Sequence, residues 1–390
     1  MNELSQICHA ARDSERLHEP LWLATVMRVK GSAYRHAGSR MLFSSGKVLA
    51  GSVSGGCLEA SIVRKGPWLA RERPTCVRFD GSREEEDDES PRGTGCDGIV
   101  EILLERASFA VPGAALSVIE DCLRNQKRAV IATVFTSTDA HAPVGARLTL
   151  DEAGRFCTSA LDGPAWSALA QAAESALAEQ RPLAQTVSSH GFEALLEVIE
   201  PPPHLFVIGA GPDASPLVEF AAAVGLGVTV CATSAGVEAR ERFAQRAELH
   251  IGSVASVAAK VATRRTPVAV IMSHHYPTDQ AALAMLLDSP ARYIGVLGPR
   301  RRTERMLNEL FPDWGSLTDC NPGRIRAPMG LDLGAETPAQ IALSVIAEVQ
   351  TVLARASAEP LSARTHQPIH SLPHELTLSS MREFGKTGTA

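Results

Sequence analysis

Runs of β-forming residues alternate with glycine-rich turns in the first half of the chain. These runs predict four strands, at residues 21–29, 47–53, 99–104 and 129–135. A helix is predicted at 58–71, with an interruption at Gly66 and Pro67, because proline lacks the N–H that a helix interior needs. A long alanine-rich helix is expected at 164–179.

The pattern changes after three consecutive prolines at 201–203, a stiff segment that favours an extended backbone. Apolar runs beyond it predict buried strands at 204–208, 228–231, 268–272 and 293–297. Helical periodicity predicts helices at 215–224, 279–287, 300–310 and 338–354. Strands and helices that alternate in this way predict a parallel sheet with helices on both faces.

The predicted fold class is therefore α/β, in two domains. A mixed α/β domain with glycine-rich loops is expected at 1–200, and a Rossmann-like domain with a doubly wound parallel sheet at 201–356. Residues 357–390 contain few large apolar side chains and are expected to form a disordered tail.

Composition narrows the class of protein. Apolar residues make up 45% of the 390 residues and charged residues 21%, as in ordinary globular proteins. A net charge of −6 argues against a nucleic-acid surface. The chain has no apolar run as long as a membrane span, and its N-terminus lacks the hydrophobic core of a signal peptide, so a cytoplasmic protein is expected.

The eight cysteines form no CxxC pair, which argues against a zinc ribbon or a thioredoxin-type centre. Free thiols are expected in a reducing compartment. Cys76, Cys122, Cys157 and Cys231 lie in apolar or alternating stretches that are typical of a core. The acidic run at 84–89 is predicted to be a solvated loop.

The segment GSVSGGCLE at 51–59 is the first candidate for chemistry. Cys57 follows a glycine turn at a predicted helix start, where backbone N–H groups and the positive helix end favour a thiolate. The alternative is a structural cysteine buried in a tight turn. Glu59 is either a first-turn residue stabilised by the helix dipole or a polar residue of the site. A second glycine-framed cysteine, Cys96, follows in GTGCDG.

The loop GSAYRHAGSR at 31–40 suits an anion. Glycine lets the main chain approach a phosphate closely, and arginine offers a rigid fork of donors. Five residues supply this chemistry: Gly31, Ser32, Arg35, Gly38 and Arg40. With Cys57, they predict a site for an anionic ligand that includes a sulfur nucleophile or soft ligand.

In the second domain, VIGAGPDASP places Gly209 and Gly211 between a strand and a helix, the context of a dinucleotide fingerprint. Asp213 lies in the same turn, and Ala214 takes the third glycine position. The second strand ends without an acid to hold a ribose hydroxyl. The domain is therefore either a nucleotide site or a scaffold.

His274 and His275 follow the predicted strand 268–272, at the end of the sheet where such folds bind ligands. They are candidates for metal ligands or acid–base groups, and equally for hydrogen bonding within the loop.

These segments occur in the order found in one protein family. The motifs are GSAYRHAGSRML, GSVSGGCLEA, GTGCDG, VIGAGPDASPLVEF, VAVIMSHHYPTDQ, YIGVLGPRRRTERM and APMGLDLGAETPAQIAL. Together they resemble the XdhC/CoxI family of xanthine dehydrogenase maturation factors over about residues 21–353. Tyr34 departs from the family pattern, in which proline is common at that position.

The resemblance implies that the loops at 31–40 and 51–57 bind molybdenum cofactor. Cys57 matches the family cysteine associated with that cofactor, as a molybdenum or sulfur contact, and Cys96 matches a second family cysteine. The other implied cofactor-binding residues are Gly31, Ser32, Arg35, Gly55, Gly56 and Glu59. In the second domain, Asp279 matches a family position and joins the ligand candidates Gly209, Gly211, Asp213 and His274.

The function implied by the resemblance is that of a maturation chaperone and not of an enzyme. Such a protein would protect molybdenum cofactor during sulfuration and insert it into a xanthine dehydrogenase-type apoenzyme. A cysteine desulfurase is an implied partner, and a homodimer is the expected assembly. Two alternatives stay open: an NAD(P)-dependent oxidoreductase that uses the Rossmann-like domain, and a catalytic metal centre built from Cys57, Cys96 and histidines.

Overall fold

The computed structural model describes residues 2–31, 33–56, 58–80, 98–111, 113–179, 184–189, 191–234, 237–244, 246–312, 323–363 and 376–377. The chain forms two compact units that divide between Glu200 and Pro201. The N-terminal unit begins at Glu3, and the C-terminal unit runs from Pro201 to Ile369. Cys57, Ser32, Cys96 and the acidic run at 84–89 lie outside the described residues.

Two antiparallel sheets form the N-terminal unit. The first contains β1 (Trp22–Lys30), β2 (Arg40–Ser44), β3 (Lys47–Gly51), β4 (Thr75–Asp80) and β5 (Ile99–Arg106). The second contains β6 (Ala129–Ser137), β7 (Arg147–Asp151), β8 (Phe156–Ser159), β9 (Ala184–Ser189) and β10 (Phe192–Ile199). The strand orders are β3-β2-β1-β5-β4 and β9-β10-β6-β7-β8, and a short sixth strand at Leu376–Thr377 extends the second sheet beside β9. All four strands predicted from the sequence are present.

Four helices cover these sheets: α1 (Glu3–Arg16), α2 (Glu59–Leu69), α3 (Ala115–Asn125) and α4 (Gly163–Ala178). α4 packs its small apolar face on the second sheet, whereas α1 and α3 share a cluster that includes Ile7 and Ile119. Between the two sheets lies a buried cluster of Met27, Leu103, Phe135 and Leu195. Each sheet therefore has a helix-covered side, which is why its strands contain long buried runs.

The predicted interruption of α2 at Gly66 and Pro67 is wrong, because the helix continues to Leu69. Proline cannot donate a backbone hydrogen bond to the residue four positions earlier. Pro67 is the ninth of the eleven residues of α2, so the lost hydrogen bond lies near the end of the helix. A Cβ on Gly66 would lie 2.8 Å from Phe43 Cζ. The glycine therefore allows the helix to approach the sheet.

The C-terminal unit contains one parallel sheet. Its strands are β11 (His204–Ile208), β12 (Gly227–Ala232), β13 (Glu248–Ile251), β14 (Pro267–Ile271), β15 (Ile294–Val296) and β16 (Ile325–Arg326). Its helices are α5 (Ala214–Ala223), α6 (Val237–Phe243), α7 (Val254–Ala262), α8 (Tyr276–Leu287), α9 (Arg300–Leu310) and α10 (Pro338–Ala354). The order β13-β12-β11-β14-β15-β16 is the 3-2-1-4-5-6 order of a Rossmann fold.

Helices cover both faces of this sheet. One core cluster joins the strands to α5 and α10, and the other joins them to α7, α8 and α9. The predicted α/β fold class, with a Rossmann-like doubly wound sheet in the second half, is confirmed. Among the described helices, none combines the length and the apolarity that crossing a membrane requires.

Part of the segment 357–390, which was expected to be disordered, forms regular structure. Leu376–Thr377 forms a short strand that pairs in parallel with β9, and Leu361–Ala363 forms a single 3-10 turn. An edge strand presents unpaired backbone N–H and C=O groups, which accept an extended segment without demanding particular side chains. Composition alone therefore could not reveal this pairing.

Candidate functional site

Two glycine-rich loops of the N-terminal unit lie side by side. One precedes β2 and contains Tyr34 and Arg35, and the other follows β3 and contains Ser52 and Gly55. A Cβ on Gly55 would lie only 3.2 Å from Tyr34 Cδ2, so glycine lets this backbone contact the tyrosine ring. The structure thus brings together two motifs that are about twenty residues apart in the sequence.

Glu3, the first residue of α1, links the same two loops. Its Oε1 accepts a hydrogen bond from the Ser52 backbone N at 3.2 Å, and its Oε2 lies 3.4 Å from Arg35 Nη1. The Arg35 side chain is 37% exposed, so this contact leaves much of the guanidinium accessible to a ligand. No sequence motif indicated Glu3, because it lies in a helix far from the glycine segments.

Glu59 organises the loop that leads to Cys57. Its Oε1 accepts hydrogen bonds from Ser52 Oγ at 2.8 Å, from Ser54 N at 2.9 Å and from Val53 N at 3.3 Å. Its Oε2 accepts from Ser54 Oγ. Partial burial raises the pKa of Glu59, but the hydrogen bonds from Ser54 and Ser52 lower it further, so the net pKa is below the ordinary value.

Ser54 holds the backbone on both sides of position 57. Its Oγ accepts hydrogen bonds from Gly56 N at 3.1 Å and from Leu58 N at 3.2 Å, and α2 begins at the next residue. A helix start at or near Cys57 was predicted, and α2 starts two residues after it. Glu59 is the first residue of α2, which agrees with the first of its two interpretations, and its oxygens also hold the loop that precedes the helix.

The glycines of the two loops differ in their surroundings. Gly31 and Gly56 have φ values of 82° and 111°, in the region that favours glycine, and a Cβ on Gly56 would meet no atom of the described residues within 4 Å. At Gly38, with φ 90°, a Cβ would lie 2.7 Å from Glu197 Oε2. Gly56 is exposed, whereas Gly38 serves the packing of the fold.

Arg40 does not face a ligand, in contrast to the sequence expectation. Its side chain is 3% exposed and forms an ion pair with Glu197 on β10, and its Nη1 donates to Gly38 O at 2.8 Å. The partner lies 157 positions away in the chain, so local sequence could not show that this arginine is structural.

Burial keeps two of the cysteines assigned to the core, Cys76 and Cys231, in the thiol form. Burial raises the pKa of Cys76 to about 12 and that of Cys231 to about 12, so both stay protonated at neutral pH. None of the five described cysteines forms a disulfide bond. Across the described positions, no group of three or more His, Cys, Asp or Glu side chains could hold a metal ion.

A crevice of about 550 Å³ lies in the C-terminal unit where the strand order reverses. The carboxyl ends of β11, β12 and β14 line it, the place where open α/β sheets bind ligands. Its polar lining includes the hydroxyls of Thr233, Ser234, Ser273 and Thr278 and the ring of His275. Its apolar wall and few polar groups are typical of a small-molecule site.

The predicted glycines shape this crevice. Gly209 has φ 130°, and a Cβ there would lie 2.5 Å from Met272 O, so only glycine allows β11 and β14 to end so close together. A Cβ on Gly211 would have no neighbour within 4 Å among the residues that the structure describes. Asp213 Oδ2 lies 3.8 Å from His274 Nε2, with both side chains more than half exposed.

Asp279 is a structural residue of this unit. It is 1% exposed, its Oδ1 accepts from the hydroxyl and backbone N of Ser273, and its Oδ2 pairs with Arg302 Nη2 at 2.7 Å. His275 lines the crevice, and its Nδ1 lies 2.8 Å from Thr278 Oγ1. Of the two histidines, the crevice-lining one is thus His275, while His274 faces Asp213.

Two family models match this chain. The model of the XdhC and CoxI family matches residues 15–80, and the XdhC Rossmann domain matches residues 205–349. A relative from Bacillus subtilis, named as a probable xanthine dehydrogenase subunit, is 30% identical over 332 residues, which cover 84% of this chain and 91% of the relative. The chain belongs to the XdhC and CoxI family.

Two further relatives extend this result. The crystal structure of a xanthine dehydrogenase from Bacillus halodurans matches with a TM-score of 0.70 and 26% identity, over 93% of this chain and 99% of that one. The uncharacterized protein YqeB of Escherichia coli is 28% identical over 171 residues, 44% of this chain and 31% of that protein.

The resemblance expected from the motifs is confirmed. Arg35, Cys57 and Glu59 fall within the matched range 15–80, and Cys96 lies outside both ranges.

Proposed function

We propose that this chain is a maturation factor for a xanthine dehydrogenase-type enzyme and carries molybdenum cofactor as its cargo. The observation that carries the proposal is the pair of adjacent loops ordered by Glu59 and Glu3, with Cys57 between their fixed flanking residues. The relatives named as xanthine dehydrogenases support the identity of the enzyme served.

The chain offers a group that can contact each of three parts of the cofactor: the pterin ring, the phosphate group and the metal. The Tyr34 side chain is 74% exposed, and its ring can stack on a flat pterin. Arg35 offers donors to the phosphate group, and the open backbone at Gly56 lets the main chain approach it. Cys57 supplies a sulfur atom, which is a ligand type that soft metals prefer.

We further propose how the bound cofactor receives sulfur and reaches the enzyme. In this scheme the N-terminal unit holds the cofactor while a cysteine desulfurase provides sulfur, and the chain then inserts it into the apoenzyme. The C-terminal unit serves as a homodimer contact or as a docking surface for these partners. Such a role fits the burial of Asp279, a residue expected to bind a ligand that is instead paired with Arg302 inside the fold. The protein acts in the cytoplasm as a chaperone without a reaction of its own.

Replacing Cys57 with serine is expected to weaken binding of molybdenum cofactor by at least about tenfold, because oxygen is a poorer ligand for a soft metal. The measurement is equilibrium binding of isolated cofactor to the purified full-length protein under anaerobic, reducing conditions. Cys157→Ser is the matched control, since Cys157 is a half-buried free thiol of the same unit.

Unchanged affinity in Cys57→Ser would remove the thiol from the site, and an equal loss in Cys157→Ser would indicate a general effect on folding. If the folded wild-type protein does not bind the cofactor, the proposed function itself is wrong. Transfer to cofactor-free xanthine dehydrogenase, followed by its activity, then tests the delivery step.

The crevice at the strand reversal favours a second candidate, an NAD(P)-dependent oxidoreductase. Its volume of about 550 Å³ and the turn at Gly209 suit a nucleotide. Thr233 and Ser234 directly follow β12, where an NAD site would place an acid. Fluorescence titration with NADH and NADPH tests this candidate: micromolar binding would support it, and no binding would leave the unit as a scaffold.

A further inference from the structure

A separate cavity of about 250 Å³ lies within the N-terminal unit. It is lined by the end of β5, the start of α3, the connection between α2 and β4, and β7. None of its lining residues belongs to the loops around Tyr34 and Cys57. The cavity is therefore distinct from the site proposed for the cofactor.

A buried ion pair faces this cavity. Glu105 and Arg147 are 8% and 6% exposed, and Arg147 Nη2 lies 2.7 Å from Glu105 Oε1. Arg147 Nε also donates to Thr133 Oγ1 at 3.0 Å. Within the described part of the chain, Arg147 Nη1 and Glu105 Oε2 have no hydrogen-bond partner. One donor and one acceptor are thus left over, each on the same charged group as an atom of the 2.7 Å contact.

The cavity gives these two atoms their access. Neither is among the fully enclosed side-chain atoms of the described residues that lack a partner, and both residues line the cavity. Buried polar groups are normally satisfied by protein, water or a ligand. A guanidinium donor beside a carboxylate acceptor matches a ligand that has an acceptor and a donor on neighbouring carbon atoms.

The charges around the cavity favour an anion. Arg73 and Arg106 line it together with Glu72, so three arginines face two glutamates, an excess of one positive charge. The 11-residue helix α3 also starts at its wall, without a side-chain cap and without an acid in its first turn. The positive end of that helix adds to the same preference.

Much of the remaining wall is apolar, and Ser108 and Ser159 add two hydroxyl groups. Leu23, Leu116, Ala107 and Ala115 contribute to it, and the cavity is smaller than the pockets that take drug-sized ligands. The ligand must therefore be small, with a short apolar body beside its polar end.

We propose that this cavity binds a small 2-hydroxycarboxylate with a short apolar side chain. The carboxylate accepts hydrogen bonds from Arg147 Nη1 and the first turn of α3, and the hydroxyl donates to Glu105 Oε2. The aliphatic part contacts Leu23 and Leu116. An amino acid fits less well, since its ammonium group would add positive charge to a site that already has an excess of it.

The test is calorimetric titration of the full-length protein with 2-hydroxy-4-methylpentanoate, 4-methylpentanoate and leucine. The hydroxy acid is expected to bind at one site and more tightly than the other two probes. Tighter binding of leucine, or equal binding of the acid that lacks the hydroxyl, would overturn the assignment. So would a lack of binding of the hydroxy acid to the folded protein at millimolar concentration.

Variants locate the site. Arg147→Lys keeps a positive charge for Glu105 but loses the donor fork, and affinity should fall at least about tenfold. Ser159→Trp, at a half-buried position of the cavity wall, should abolish binding by filling the space. Arg155→Lys is the matched control, because Arg155 is exposed and bonds to Asp151 outside the cavity. Full affinity in both cavity variants would overturn the proposal.

Discussion

Replacing Glu197 with leucine is expected to lower the free energy of unfolding by about 3–5 kcal/mol. Glu197 and Arg40 form an ion pair whose side chains are 6% and 3% exposed. The substitution removes the counter-charge and leaves a guanidinium group in the interior, where an unpaired charge is costly. Urea unfolding of the variant and the wild type, followed by circular dichroism, gives the difference.

Two further variants separate the ion pair from other effects. Glu193→Leu changes another glutamate of β10, but Glu193 is 28% exposed, and its partner Arg28 keeps Glu101 at 2.7 Å. Its cost should stay below about 1 kcal/mol. The double variant Arg40→Met, Glu197→Leu should recover most of the lost stability, because no charge is then left unpaired. Equal losses in the two single variants would contradict the role of the buried pair.

The sequence predicted the C-terminal unit well because its signals are local. β11, α9 and α10 have the bounds that apolar runs and helical periodicity indicated. In a parallel sheet covered on both faces, every strand is a continuous apolar run, so a short window suffices to find it. The strand order then follows from few further rules, since crossover connections are right-handed.

The N-terminal unit was harder to predict because its pairings are distant. β1 pairs with β5, so Trp22 lies opposite Arg106, and β10 pairs with β6 across the intervening β7 and β8. Such register depends on which face is buried in the finished unit, and no local pattern encodes it. The helix α1 was missed as well, although its apolar residues Ile7 and Ala11 are fully buried.

In the candidate site, too, some residues could be recognised from a local sequence motif and others act through partners that are distant in the chain. The glycine motifs identified the two loops, since positive φ and close approach leave a mark in the sequence at the position itself. Glu59 lies within one of these motifs, but Glu3, which orders the same loops, and the distant partner of Arg40 left no such mark. Their roles arise from contacts that exist only after the sheets have formed.

Acidification should destabilise the C-terminal unit through His204. This side chain is 8% exposed at the start of β11, and its Nε2 lies 2.8 Å from Thr229 Oγ1. Burial lowers its pKa to about 3, with Arg264 and Lys260 acting in the same direction and Glu248 opposing them. The folded protein therefore holds a neutral imidazole where the unfolded chain binds a proton.

The sign of the effect follows from this difference in proton binding. Stability from the neutral imidazole is complete above the unfolded pKa of about 6.5 and is lost as the pH falls toward the folded value. Between about pH 7.5 and about pH 5, the wild type should lose about 2 kcal/mol more than His204→Gln, whose amide does not titrate. Urea unfolding at the two pH values measures both losses. His250→Gln, at a half-buried histidine of the same unit, is the control and should lose as much as the wild type. If His204→Gln also loses as much as the wild type, the buried histidine is not the source of the acid sensitivity.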